Sequence, residues 1–390
     1  MSEQMTATEL IEMVRRVFAP QTGERALGVM VDLPDDKVGD DPAWAARRAI
    51  ASEWVAALRQ HRDESGLDVH LVAYPNAHTN NGDLPKYAWA LDGDALPSSI
   101  DGLDKNSACP MEKVYADHPM LIAITKFSST APLKIAAKKF GFRAATMPGF
   151  TEAMIPALRL DYIEINRRVN FLKGLLDRAV SAEIQFSHSL GKSDLNLDLR
   201  HRAGHASGGL LTSPGAAGNL PSGEAYIVPY EGEIPGDASR SEGELPVQFG
   251  SEIVLYQIKG NKAVKVLSTG PESMREAALL AKEPAYSNLA ELGLGVLAPF
   301  GIRPIGSVLL DEKLGLHIAF GRSEHFGGQV GPDAFSSPEA VVHIDRVYVP
   351  EMQPDICPDS VDLRLEDGKI IPLMRKGDYV NESAYPPRIP

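Results

Sequence analysis

The sequence predicts an α/β protein in two parts: an N-terminal α/β layered domain with a mostly parallel sheet over residues 1–180, and a β-rich α+β domain over 181–390. Three observations carry this reading. The chain has 390 residues, more than one hydrophobic core usually holds, so two domains, or one large domain with an inserted lobe, are expected. Helical and strand periodicities alternate through the first 175 residues, and strands separated by helices imply parallel pairing with crossover connections. After Ala182 the pattern changes to period-2 alternation broken by turn-rich stretches such as SPGAAGNLPSGE.

Taken in order, Thr8 to Phe18 places Leu10, Ile11, Val14, Val17 and Phe18 on one helical face, and Ala26 to Leu33 is a short apolar strand. Ala43 to Arg62 reads as a helix carrying Trp44, Ile50, Trp54, Val55 and Leu58, followed by a strand at Asp68 to Tyr74. A buried strand at Met120 to Thr125 precedes a helix at Ala131 to Phe140 and a strand at Phe142 to Thr146. Gly149 to Val180 is helical, with Pro156 expected to break or restart it, and is read as a bridge between lobes; the boundary is placed near residue 180. Beyond it, Glu183 to Ser187 and Leu195 to Arg200 alternate apolar and polar side chains, as strands do. No internal repeat is visible.

Composition narrows the class. Apolar residues make up 44% and charged residues 23%, which excludes a disordered, collagenous or coiled-coil chain. The balance of 39 basic against 52 acidic residues, a net charge of −13, repels a phosphate backbone, so nucleic acid is not an expected partner. Cys109 and Cys357 stand far apart and offer no disulfide framework or thiolate zinc site, which fits a reducing cytoplasm. The polar, acidic N-terminus lacks the features of a secretory signal. The longest nearly apolar run, Leu292 to Ile302, is too short for a bilayer, so no membrane association is expected.

Six of the ten histidines follow residue 187, and three lie between Gly315 and Asp345. His343-Ile344-Asp345 sits in the strand-like run Val341 to Val349. Side chains two apart on a strand project from one face, so an imidazole and a carboxylate converge as a divalent cation requires; a hydrogen-bonded histidine at a strand end is the alternative. His317 lies in the apolar segment LHIAFG. Asp311 and Glu312 precede it, Glu291 interrupts LAELGLGVLAPFG, and Glu224 opens a strand-like run in NLPSGEAYIVPY. Carboxylates within apolar sequence are costly unless paired or metal-bound, and with the histidines they make the N/O ligand mix of a two-metal hydrolytic site. His201, Arg202 and His205 enter a Gly/Ser loop, where a substrate contact or an exposed turn is expected. Arg346 is a candidate ion-pair partner that orients Asp345. A phosphate-binding loop and a Gly-x-Ser-x-Gly elbow are both absent.

The ordered segments NLPSGEAYIVP, LAELGLG, LLDEKLGLHIAFG, VVHIDRVYV and LEDGKIIPLMRKGDYV resemble the C-terminal half of the aminopeptidase T (aminopeptidase II) metallopeptidases, over roughly residues 183 to 379. The resemblance implies an aminopeptidase T-like fold and a cytoplasmic homodimer whose active sites face an enclosed cavity. It implies that Glu224, Glu291, His317, His343 and Asp345 ligate a pair of divalent cations (Zn, Co or Mn), with Glu312 an acidic position near them. Glu291 or Asp345 would bridge the cations, and Glu312 would shuttle the water proton to the leaving nitrogen. The expected activity is amide hydrolysis at the N-terminus of a short peptide or on a small-molecule amide.

One departure stands out. The family places a tyrosine seven residues after the histidine of HIAFG, where it would stabilise the tetrahedral intermediate; this chain has Glu324, followed by His325. An ionised carboxylate repels an oxyanion, so His325 could supply the donor, Glu324 could shuttle protons or bind a substrate amine, or both could lie on a loop that touches nothing. The 2,5-dihydroxypyridine dioxygenases are a fold-related second resemblance, and imply instead one Fe(II) cleaving an aromatic ring. In that branch a histidine matches Glu291, and the positions matching Glu224 and His317 lose their ligating side chains. Because this chain keeps all three, the hydrolase reading leads.

Overall fold

The computed structural model describes residues 3–380, which separate into two compact units. One contains the chain up to Glu164 together with Gly209–Ser222; the other contains Ile165–Gly208 and the chain from Gly223 onward.

The first unit is built on a seven-stranded sheet in the spatial order Ala217–Asn219, Arg143–Thr146, Met120–Ala123, Ala26–Leu33, Asp68–Pro75, Tyr87–Leu91, Cys109–Pro110. The first five pair in parallel and the last two join antiparallel. Ala26–Leu33 is buried at every position after the first, as a mostly apolar strand in the middle of a parallel sheet requires, and its one acid, Asp32, accepts from Trp44 and from the Lys126 and Phe127 N–H groups. Its helices carry clear start signals. Thr6 and Glu9 form a reciprocal capping box on Ala7–Phe18. Asp41 caps Pro42–Gln60, whose first turn holds the proline and whose buried face includes Trp44, Ile50, Trp54, Val55 and Leu58.

The second unit holds two antiparallel sheets. The larger runs Lys262–Val266, Glu252–Lys259, Glu242–Phe249, Gly191–Asp198, Ala179–His188, Ile356–Leu365, Ile370–Arg375, Asp378–Tyr379. The smaller runs His343–Val347, Leu316–Gly321, Leu289–Gly295, Glu224–Ile227, His205–Ser207. Aromatic rings join them: Phe186 packs on Tyr348 at 5.0 Å and Tyr256 on Phe320 at 5.2 Å between centroids.

The expected α/β fold with a β-rich second part is the observed one. The unit boundary falls at Glu164 and Ile165, inside the helix Tyr162–Leu176, so the position expected near residue 180 lies within the second unit. Residues 209–222 return to the first unit because Ala217–Asn219 pairs in parallel with Arg143–Thr146, and three residues reading AGN carry no strand periodicity to announce this. Pro156 occupies the first turn of the short helix Ile155–Leu158, where its missing N–H costs nothing. Among the described residues no helix is long and apolar enough to cross a membrane.

Candidate metal centre

The smaller sheet of the second unit assembles the site by register. On Leu316–Gly321, His317, Ala319 and Gly321 share one face. Across one edge they meet Val347, Asp345 and His343; across the other, Gly293 opposes His317 and Glu291 opposes Ala319. Glu224 opposes Gly295 one strand further on. Small residues alternate with the candidate ligands on this face, and that spacing lets neighbouring groups lie close against the strand. His317 lies over Gly293, where a β-carbon would overlap its ring, and a β-carbon at Gly295 would collide with the backbone of Lys313 and Leu314.

All five expected ligands therefore converge. They fall into two groups, Glu224 with Glu291 and His317, and Glu291 with His343 and Asp345, each able to present atoms to one ion. Glu291 belongs to both: its Oε1 is 3.3 Å from His317 Nε2 and its Oε2 is 3.3 Å from His343 Nε2. His317 Nε2 also lies 3.5 Å from Glu224 Oε2, and His343 Nε2 lies 3.4 Å from Asp345 Oδ1. The opposite ring nitrogens face backbone carbonyls, Gly315 at 3.3 Å and Arg322 at 2.8 Å, which turns each Nε2 inward. Glu224 Oε2 and Asp345 Oδ1 are buried and accept no hydrogen bond. Two orphaned carboxylate oxygens beside two inward imidazoles fit a divalent cation.

A residue that sequence reasoning passed over sits beside them. Lys313 is 1% exposed, with Nζ 2.5 Å from Glu224 Oε1 and also bonded to Glu312. Its only sequence signal was a charge inside the apolar stretch from Val308 to Phe320, costly unless paired. Burial pushes the Glu312 carboxyl up to about 8 despite Lys313. Burial likewise raises Glu224. Burial opposes charge on Glu291 and Asp345 too, but the imidazoles beside them prevail and hold both low. The same contacts overcome burial to lift His317 to about 9 and His343 well above the ordinary imidazole range. Four carboxylates thus face one ammonium and two imidazoles, a set whose protons a divalent cation would displace.

The remaining candidates divide. Arg322 holds Glu324 through two bonds of 2.6 and 2.9 Å. His325 stands closer to the ligands, its ring 5.5 Å from that of His343 and nearly perpendicular to it, and burial pushes its imidazole down to about 4. Phe326 continues this wall: it meets His343 at 5.5 Å and Tyr226 at 4.8 Å, and Tyr226 stacks on His205 at 5.0 Å. His205 also bonds the Phe326 carbonyl at 3.0 Å. His201 instead pairs with Asp237 at 2.9 Å, and Arg202 with Glu231 and Glu233. Arg346 does not orient Asp345: neighbouring strand residues point to opposite faces, and its guanidinium reaches the Tyr286 hydroxyl at 3.2 Å. Asp311 accepts the Ile305 N–H at 2.9 Å in a turn.

No protein-family model matches the chain. Aminopeptidase T of Thermus aquaticus is 25% identical over 405 aligned positions, covering 85% of this chain and 91% of that protein. Among solved structures, 2,5-dihydroxypyridine dioxygenase from Pseudomonas putida superposes with a TM-score of 0.60 at 15% identity. Wild-type AmpT from Thermus thermophilus superposes with a TM-score of 0.54 at 18% identity. Each match covers 96% of this chain and 98% of the other. In sequence the chain resembles aminopeptidase T well beyond the C-terminal motifs, and its fold is shared with AmpT and with the dioxygenase.

Proposed function

We propose that this protein is a metal-dependent hydrolase that cleaves an amide bond, at the N-terminus of a short peptide or in a small-molecule amide. The observation that carries the reading is Glu291, whose two oxygens face two imidazoles on opposite sides and so join two ligand groups. Similarity to aminopeptidase T supports the same class. Glu224, Glu291 and His317 would hold one divalent cation of the zinc, cobalt or manganese type, and Glu291, His343 and Asp345 a second. Bound there, such cations bring the pKa of water near neutrality and polarise a carbonyl.

The chain's own groups supply the rest. Glu312, raised to about 8 and so mostly protonated at neutral pH in the metal-free protein, would give its proton to the leaving nitrogen, and its ionised form would take one from the attacking water. His325 is neutral at pH 7 and lies 3.8 Å from Glu324, beyond hydrogen-bond length, so an N–H of its ring would serve the carbonyl oxygen as charge develops there. Phe326 packs beside His343 and Tyr226 against Phe326, and the two would limit water around the reacting groups.

The test is hydrolysis of leucinamide by protein stripped with a chelator and reloaded with zinc, cobalt or manganese. Activity should vanish on stripping and return on reloading. Glu224→Ala and His317→Ala should each abolish turnover and lower bound metal while unfolding stays cooperative. Full activity in either variant defeats the assignment. Ferrous-dependent oxygen consumption on a dihydroxypyridine, with no amide cleavage, would move the protein to ring cleavage by one Fe(II).

A further inference from the structure

We infer that Lys313 is a built-in cation of this centre, so that the two ligand groups bind divalent ions unequally. The group of Glu291, His343 and Asp345 fills first, and the group of Glu224, Glu291 and His317 fills only against the Lys313 ammonium. The inference rests on the metal-dependent reading above and deepens it.

Lys313 belongs to the short turn Glu312–Leu314, directly before the strand that carries His317. Its backbone lies against Gly295, the cross-strand neighbour of Glu224, which fixes where the side chain starts. With 1% exposure the ammonium has exchanged water for two carboxylates, Glu224 at 2.5 Å and Glu312. A buried charge held this way does not leave readily, because removing either partner strands the other. The contact is one-sided: it engages Glu224, which serves only the first group, while Asp345 and His343, which serve only the second, have no ion pair with a lysine or arginine among the described residues.

The consequence is electrostatic. Glu224 gives Oε1 to the ammonium and keeps Oε2 buried and without a hydrogen bond, so the first group remains open to an ion. Any ion taken there shares one carboxylate with a positive charge a few ångströms away, at a depth where water screens little. The second group carries two carboxylates and an imidazole with no such competitor. One firmly held cation and one exchangeable cation follow, and the occupancy of the exchangeable position then follows metal supply.

The test is titration of metal-free full-length protein with Mn2+, followed by calorimetry and by counting bound ions. The native chain should bind one ion tightly and a second at least about tenfold more weakly. Lys313→Met keeps the aliphatic stem but not the charge. It should narrow that gap by at least about tenfold, whereas Lys313→Arg should not. His317→Ala should keep the tight ion and lose the weak one, and it serves if the Lys313 variants do not fold. Two equal sites in the native chain, an unchanged gap in Lys313→Met, or loss of the tight ion in His317→Ala overturns the role of Lys313 and leaves the hydrolase reading standing. A native chain that binds no Mn2+ overturns both.

Discussion

At position 324 a carboxylate stands where the aminopeptidase T pattern has a phenol, and it is spent on its neighbour: both oxygens are bonded to Arg322 and the side chain is 39% exposed. Next to it, His325 offers a neutral imidazole against the His343 ring. The two residues should therefore separate in kinetics. Glu324→Tyr should leave kcat on leucinamide within about threefold, since an exposed ion pair contributes little. His325→Ala should lower kcat by about 10² to 10³ with KM nearly unchanged, the signature of a lost oxyanion donor. A large rise in activity for Glu324→Tyr, or an unaffected His325→Ala, would contradict this division of labour. The five candidate ligands were legible in the sequence because each is an acid or imidazole inside an apolar run. Lys313 was not, because a lysine beside a glutamate also describes any exposed turn.

At the scale of the element, the site depends on what is missing from the strands as much as on what they carry. Leu289–Gly295 alternates Glu291, Gly293 and Gly295 on the face that opposes His317, and the glycine at 293 is the floor under that imidazole. Gly293→Ala should cost about 1–3 kcal/mol of stability by overpacking, and should weaken metal binding at least about tenfold by tilting His317. Thermal unfolding and Mn2+ titration of the variant check this; an unchanged metal affinity would show that the ring has room to spare. The spacing Glu-x-Gly-x-Gly was present in the sequence, but its meaning needed the register, since only pairing tells which imidazole lies over which glycine. The loop after His317 depended even more on long-range contacts. Glu231 anchors it through Ser323 at 2.6 Å, and the same carboxylate takes Asn288 at 2.7 Å, partners far apart in sequence.

For the whole molecule, the concentration of charge in one buried place governs how stability responds to pH and to metal. His317 at about 9 and Glu312 at about 8 both sit above their ordinary values, so the metal-free native state binds more protons than the unfolded chain across this range. That stabilisation is full below about 6.5 for the histidine and about 4.5 for the glutamate, and it is lost as pH rises through about 9 and about 8 respectively. The melting temperature of stripped protein should thus fall between pH 6.5 and 9, by an amount on the order of a few kcal/mol in stability. Saturating Mn2+ should flatten the fall, because ligating imidazoles are already neutral. A stripped protein whose stability rises over that range would refute the protonation of the centre. The sequence by itself determined the α/β class, the change to β-rich structure, the main alternation of helices and strands in the first 175 residues, and the residue types able to hold metal, because periodicity and the cost of burying charge act over neighbouring residues. Tertiary structure alone decided that residues 209–222 rejoin the first unit, that Glu291 rather than Asp345 joins the two groups, that Arg346 turns away, and that an ammonium stands among the candidate ligands. Each of these depends on which strands pair and in what register, a choice made by contacts between distant parts of the chain.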